Sequence, residues 1–184
     1  MNNLISKLKD ISNYKTNSDW LPIIAATLLL EAYVIFRAMK FKSTGELIYT
    51  WYYKFGFLAV FADVLILLIG YAAIRYIYTL FIYPKYGFNP FLFIIILLVI
   101  QIIHDIIYYY FIVKPITRGS NTLIDYMKDY GKEYKSYAII GDSLIFIIVS
   151  IIAMLLKGVP NHISIAVILL SSYLILYSIT TRRK

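Results

Sequence analysis

Cysteine is absent from this chain, and histidine occurs only twice. No CxxC redox site, thiolate metal centre or disulfide can therefore form, and two distant histidines are too few for a conventional His-rich zinc site. Charge is also scarce, at 15% of 184 residues, and no polar stretch is long enough for a separate soluble domain. No lysine sits in the middle of an apolar run, which excludes a retinal Schiff base. No glycine-rich filter separates the runs, which argues against a potassium-selective pore. A phosphate-binding glycine loop is missing, and no nucleophile stands beside a base. The DxxD spacing of metal-dependent prenyl or alcohol-phosphate transfer does not occur within the runs.

What the chain does have is apolar length. Hydrophobic residues make up 61% and mean hydropathy is +0.74, outside the soluble globular range. A helix needs about 20 residues to cross hydrocarbon, and the segments 21–39, 56–82, 90–113, 136–156 and 161–180 meet that need. The expected fold is all-α: a polytopic membrane protein of five transmembrane helices with two short amphipathic interfacial helices. Residues 1–19 form an amphipathic N-terminal segment and residues 20–184 the transmembrane domain. Leu4, Ile5, Leu8 and Ile11 recur at helical spacing with Lys7 and Lys9 opposite, which predicts a helix on the membrane surface. No apolar h-region precedes a cleavage site, so the stretch does not read as a signal peptide. Asn2 stands where N-myristoylation requires glycine.

Local signals mark the element ends. Ser43 and Glu46 make a capping-box pattern before the aromatic stretch GELIYTWYYK, expected at the headgroups. Tyr83-Pro84 is expected to stop the second span. Asn89-Pro90 reads as an N-cap with proline at the first helical position. After Lys114-Pro115, Leu123, Ile124, Met127 and Tyr130 outline an amphipathic surface helix capped by Ser120 or Asn121. Asn161 is expected to cap the fifth span. No internal repeat appears, and an odd number of spans disfavours an inverted repeat of whole halves.

Lysine and arginine set the expected orientation. Lys7, Lys9, Lys15, Lys85 and Lys157 fall on one side, against twelve on the other, which runs from Arg37 through Lys135 to the terminal Arg182-Arg183-Lys184. The richer side should face the cytoplasm. The N-terminus is then external or lumenal and the C-terminus cytoplasmic. A net charge of +8 reads here as topology and anionic-lipid contact. The expected partners are the bilayer and a homo-oligomer or membrane assembly partner, with no nucleic acid.

Ionisable residues within spans are costly and are functional candidates by default. At about 1.5 Å per residue, Asp63, Asp105 and Asp142 lie roughly 9–12 Å below the same boundary, and Glu31 joins them. Gln101, His104, Asp105 and Tyr108 form an i, i+3, i+4, i+7 stripe, expected to face protein or water. Small residues beside Asp63 and Asp142 mark packing faces, so each acid is expected to point inward. Arg75 reads as a snorkelling or ion-paired residue, and His162 as a helix-entry residue. Buried polar groups can also serve only as hydrogen-bond glue between helices, at about 0.6 kcal/mol each. Four acids and a histidine exceed that need, because neighbouring carboxylates repel unless protonated or bridged by a cation.

Three functions fit. The leading one is a cytoplasm-facing cavity for ion or proton permeation, or for coupled small-molecule binding, lined by Glu31, Asp63, Gln101, His104, Asp105, Tyr108 and Asp142. The second is a Mg²⁺-dependent lipid-headgroup or phosphate enzyme: Asp63, Asp105 and Asp142 hold the metal, and Lys114 and Arg118 meet phosphate. The third is a structural or scaffolding membrane protein. Whether any reaction is catalysed stays open at this point. A divalent or monovalent cation is the only cofactor these residues suggest.

Residues 101–146, with His104-Asp105, Pro115, Gly119, Asn121, Asp125, Lys128 and Asp142-Ser143, resemble a segment of uncharacterised polytopic membrane proteins of giant double-stranded DNA viruses. The resemblance covers about a quarter of the chain. It implies a viral origin and no activity.

Overall fold

The computed structural model describes residues 6–41 and 45–181, and among these there is no strand. Five helices are long and apolar enough to cross a membrane: Asn17–Phe41, Phe57–Tyr86, Pro90–Val113, Ser136–Leu156 and Asn161–Thr180. The chain has the architecture of a multi-pass membrane protein. Within these spans lie α1 (Trp20–Phe41), α3 (Phe57–Ile77), α4 (Pro90–Ile107), α6 (Ser136–Leu156) and α7 (Asn161–Thr180). Two shorter helices flank them, α2 (Glu46–Phe55) and α5 (Thr122–Tyr134). Alternating spans bring Trp20, Tyr86, Pro90, Leu156 and Asn161 to one end of the bundle, here the Trp20 end. Phe41, Phe57, Val113, Ser136 and Thr180 mark the opposite, Phe41 end.

The caps follow the sequence in two places. Asn89 accepts from the amides of Phe91 and Leu92 at 3.0 and 3.1 Å, and Asn121 from those of Leu123 and Ile124 at 2.9 and 3.2 Å. At the fifth span the cap position is Pro160, with no side-chain bond, and Asn161 is already helical. Proline's fixed φ pre-sets the entry there, and the exposed first turn leaves its free amides to solvent. Ser43 lies outside the described residues, and α2 begins after Gly45 at φ 97°.

The second span does not stop at Tyr83-Pro84. It passes through a π-helical turn at Tyr78–Ile82 and continues to Tyr86. The wider turn resets the helix, so Pro84 falls in a first-turn position where its missing N–H costs nothing. A second π-turn, Tyr108–Val113, ends the third span.

The N-terminal segment also departs from expectation. Leu4 and Ile5 lie outside the described residues, and residues 8–13 are not helical. Instead this stretch threads into the Trp20 end of the bundle. Ile11 is fully buried in a cluster with Ile23, Tyr71, Ile74, Phe93, Val149 and Met154. The Lys9 amide donates to the Met154 carbonyl at 3.1 Å. A surface helix would leave Ile11 at the headgroups, whereas this tucked, irregular segment seals it among apolar side chains. At the Phe41 end a second cluster joins Ala32, Ile35 and Ala38 of α1 to Trp51, Tyr52, Ala59, Val60, Tyr126, Ile175 and Ile179. Thus α2 and α5 are packed against the spans rather than resting beside them.

Candidate functional site

The acidic layer begins at the joint between α2 and α3. Gly56, at φ 55°, turns the chain so that α2 folds back toward α3. Trp51 and Tyr52 are thereby buried and both aim at Asp63. Its Oδ2 accepts from the Trp51 indole at 2.8 Å and the Tyr52 hydroxyl at 3.1 Å. Trp51 is held by stacking on Tyr126 of α5, with ring centroids 5.1 Å apart. Glu31 of α1 lies beside Tyr52 and Asp63, only 5% exposed, and its Oε1 has no hydrogen-bond partner. Burial pushes the Tyr52 phenol well above its ordinary range, and the nearby Glu31 and Asp63 charges push it further. A donor that resists ionisation is well suited to sit between two acids.

The second part lies on α4 and α6. Gln101 is buried, donates its amide to Asp105, and accepts from the Ser143 hydroxyl at 2.9 Å. Asp105 also meets His104 Nδ1 at 3.1 Å. The His104 ring stacks on Tyr108 at 5.9 Å and 8° between planes. His104 does not face the layer: its side chain is 43% exposed on the flank of the bundle. Positions 101 and 105 point inward, and 104 lies about 100° around the helix from 105, beyond the reach of the inward face. Pairing with Asp105 and stacking on Tyr108 take the place of burial.

Tyr130 ties the two parts together. Burial raises its phenol pKa first, and Asp142, Tyr134, Asp63 and Asp105 add to the rise in that order. One hydroxyl on α5 therefore lies within electrostatic reach of acids from three spans. Glu31 thus lies beside Asp63, Gln101 pairs with Asp105, and Asp142 is half-buried, with α2 and α5 packed over this end of the bundle. The layer is enclosed at Glu31, with half-buried acids at Asp105 and Asp142.

Two expected contacts look different in place. Arg118 is engaged by Asp129 at 2.5 Å, which raises the guanidinium pKa and lowers that of the carboxyl. Lys114 lies over the Tyr110 ring at 5.1 Å. Among the described residues no three His, Asp or Glu side chains are grouped so as to hold a metal ion. Asp63, Asp105 and Asp142 share a field without forming a preassembled metal site.

Sequence reasoning missed the donors. The aromatic run of α2 reads as an interface belt, and nothing local says that Trp51 and Tyr52 meet an acid twelve and eleven residues on. Tyr130 reads as one apolar-face residue among several. Arg75 was ion-paired as expected, but it is 1% exposed and does not snorkel. Its Nη2 donates to the Asn13 and Thr16 carbonyls at 2.6 and 2.7 Å and meets Asp19 at 3.4 Å. Its guanidinium lies 4.8 Å over the Trp20 ring, and Lys157 completes the group on Asp19. A cleft of about 500 Å³, lined in part by Lys9, Asp10, Asp19 and Lys157, opens beside this cluster. His162 is exposed at the start of α7, as a helix-entry residue should be.

No family model, curated protein or solved structure matches this chain.

Proposed function

We propose that this protein binds and passes protons or small cations through the carboxylate layer at the Phe41 end of the bundle. The observation that carries the reading is Glu31, a nearly inaccessible carboxyl with an unpartnered oxygen beside a second acid, Asp63. Two like charges in that setting repel, and a proton or a cation between them relieves the repulsion. Hydrogen-bond glue between helices pairs most of its buried polar atoms. The lysine and arginine excess supports placing this end in the cytoplasm. Dispersed acids without a preassembled three-ligand cluster favour proton or monovalent-cation handling over Mg²⁺ chemistry.

The test is flux into sealed vesicles holding the purified chain, read with a pH-sensitive dye under a proton gradient and with Na⁺- or K⁺-sensitive dyes under the matching cation gradients. Wild type should conduct one of these, and Glu31→Gln and Asp63→Asn should each abolish most of the signal. A wild type silent under every gradient would defeat the reading and leave a scaffolding role in front.

A further inference from the structure

The buried face of α7 consists of Ser164, Ser171, Ile175 and Ile179. Ile175 and Ile179 pack in the cluster containing Ala32, Ile35 and Ala38 of α1, and both helices start at the Trp20 end, so they run parallel. One turn back from Ile175, about 5–6 Å, brings Ser171 level with the Thr27–Glu31 turn of α1. Thr27 and Glu31 are themselves i, i+4 neighbours on one face. All three are buried, with Thr27 fully inaccessible and Ser171 at 1%, and all three leave a side-chain oxygen without a partner: Thr27 Oγ1, Glu31 Oε1 and Ser171 Oγ.

Three unpartnered oxygens on two facing helices are an unusual arrangement in an apolar core. Most buried polar atoms are paired, with protein or with ordered water, and a buried water takes two to four polar partners. Two hydroxyls and a carboxyl supply that number. Helix carbonyls are already engaged in the ladder, so the set is thin for a dehydrated metal ion, which asks for more oxygens. Water, by contrast, both donates to Glu31 and accepts from the hydroxyls.

We propose that Thr27, Glu31 and Ser171 enclose bound water, and that this water is the proton's next station beyond Glu31 toward the Trp20 end. The inference rests on the proton-handling reading for its second half only. A proton leaving Glu31 passes to the water oxygen as one of that water's own protons moves on, so charge and atoms balance at each step. Asp63, donated to by Trp51 and Tyr52, then faces the Phe41 side of Glu31, and the Thr27–Ser171 water faces the other. Glu31 becomes the residue that both half-paths share.

The experiment combines Thr27→Val and Ser171→Ala with Thr27→Ser as the variant that keeps the hydroxyl. Infrared difference spectra of wild type should show an O–H band that shifts in H₂¹⁸O and is lost in Thr27→Val. Thermal stability should fall in Thr27→Val and Ser171→Ala and be kept in Thr27→Ser, because water-bridged hydroxyls lose bonds when removed. Dry orphan hydroxyls would give unchanged or higher melting temperatures on removal, and that result overturns the proposal. So does a saturable rise in melting temperature with NaCl that choline chloride does not reproduce and that Thr27→Val and Ser171→Ala abolish, since a metal ion would then occupy the site. Proton flux in Thr27→Val should drop about tenfold, the rate change that one lost hydrogen bond produces. A silent wild type that keeps the ¹⁸O-sensitive band would sink the conduction reading and leave the water site standing.

Discussion

Trp51 and Asp63 are joined by a 2.8 Å hydrogen bond across the Gly56 turn, so a helix outside the membrane spans supplies a donor to an acid inside one. This bond couples the position of α2 to the charge state of the layer. Trp51→Phe preserves stacking on Tyr126 and removes only the N–H. It should cost about 1.5–3 kcal/mol, the range for a bond to a charged group, read as a lowered midpoint in denaturant. A change within error would mean that Tyr52 alone satisfies Asp63.

Glu31→Gln removes one of two facing acids and offers an amide that can donate to Asp63. The variant should gain about 1 kcal/mol in stability while losing flux. Stability and activity moving in opposite directions is the signature of a functional strain site. Loss of both together would identify Glu31 as structural.

The tyrosines of the roof predict a behaviour at high pH. Burial raises the phenols of Tyr52, Tyr126 and Tyr130 above their ordinary value of 10.0. A raised folded pKa contributes stability that is complete below the unfolded value and is lost as pH rises. Stability in detergent should therefore be flat to about pH 10 and then fall by about 1.4 kcal/mol per pH unit for each tyrosine still protonated in the fold. Tyr130→Phe should shallow that slope. An unchanged slope would place Tyr130 in contact with water.

Arg75 holds the N-terminal segment through Asn13, Thr16 and Asp19. Arg75→Ala leaves Asp19 buried with only Lys157, and should cost about 3–5 kcal/mol. Hydrogen exchange should rise across residues 9–19 and little elsewhere. Uniform protection loss would show that Arg75 supports the whole bundle.

For orientation, Lys7→Cys and Thr181→Cys can be placed singly in the cysteine-free chain, both positions being exposed. A membrane-impermeant thiol reagent should label Lys7→Cys from outside intact cells and Thr181→Cys only after lysis. Labelling of both from one side would contradict the charge-based orientation.

Span limits were legible because hydrophobic length is a local property, and Asn89 and Asn121 carry their capping chemistry on the page. The depth of the acids was legible for the same reason, since rise per residue converts position into height. Which way His104 points was not, because a 100° step beside Asp105 is settled by what α6 and α5 leave uncovered. Ser164 and Ser171 were also hidden: α7 mixes apolar and hydroxyl residues around its circumference, so no stripe stands out until α1 selects a face. The path of residues 8–13 was not legible, because the spacing of Leu8 and Ile11 is a local signal while the acceptor that holds the segment, the Met154 carbonyl taking the Lys9 amide, is distant in sequence.

That tucked segment has a consequence for how the protein is made. Residues 8–16 leave the ribosome before any of the spans, yet their seats are Arg75, Thr79 and Met154. They must wait, unseated, until the fourth span has been threaded. Until then one mouth of the bundle stays open and the segment is within reach of proteases. Its disappearance from protease reach reports that insertion has run at least as far as Met154, so a segment made before the spans acts as the seal on the last stages of assembly.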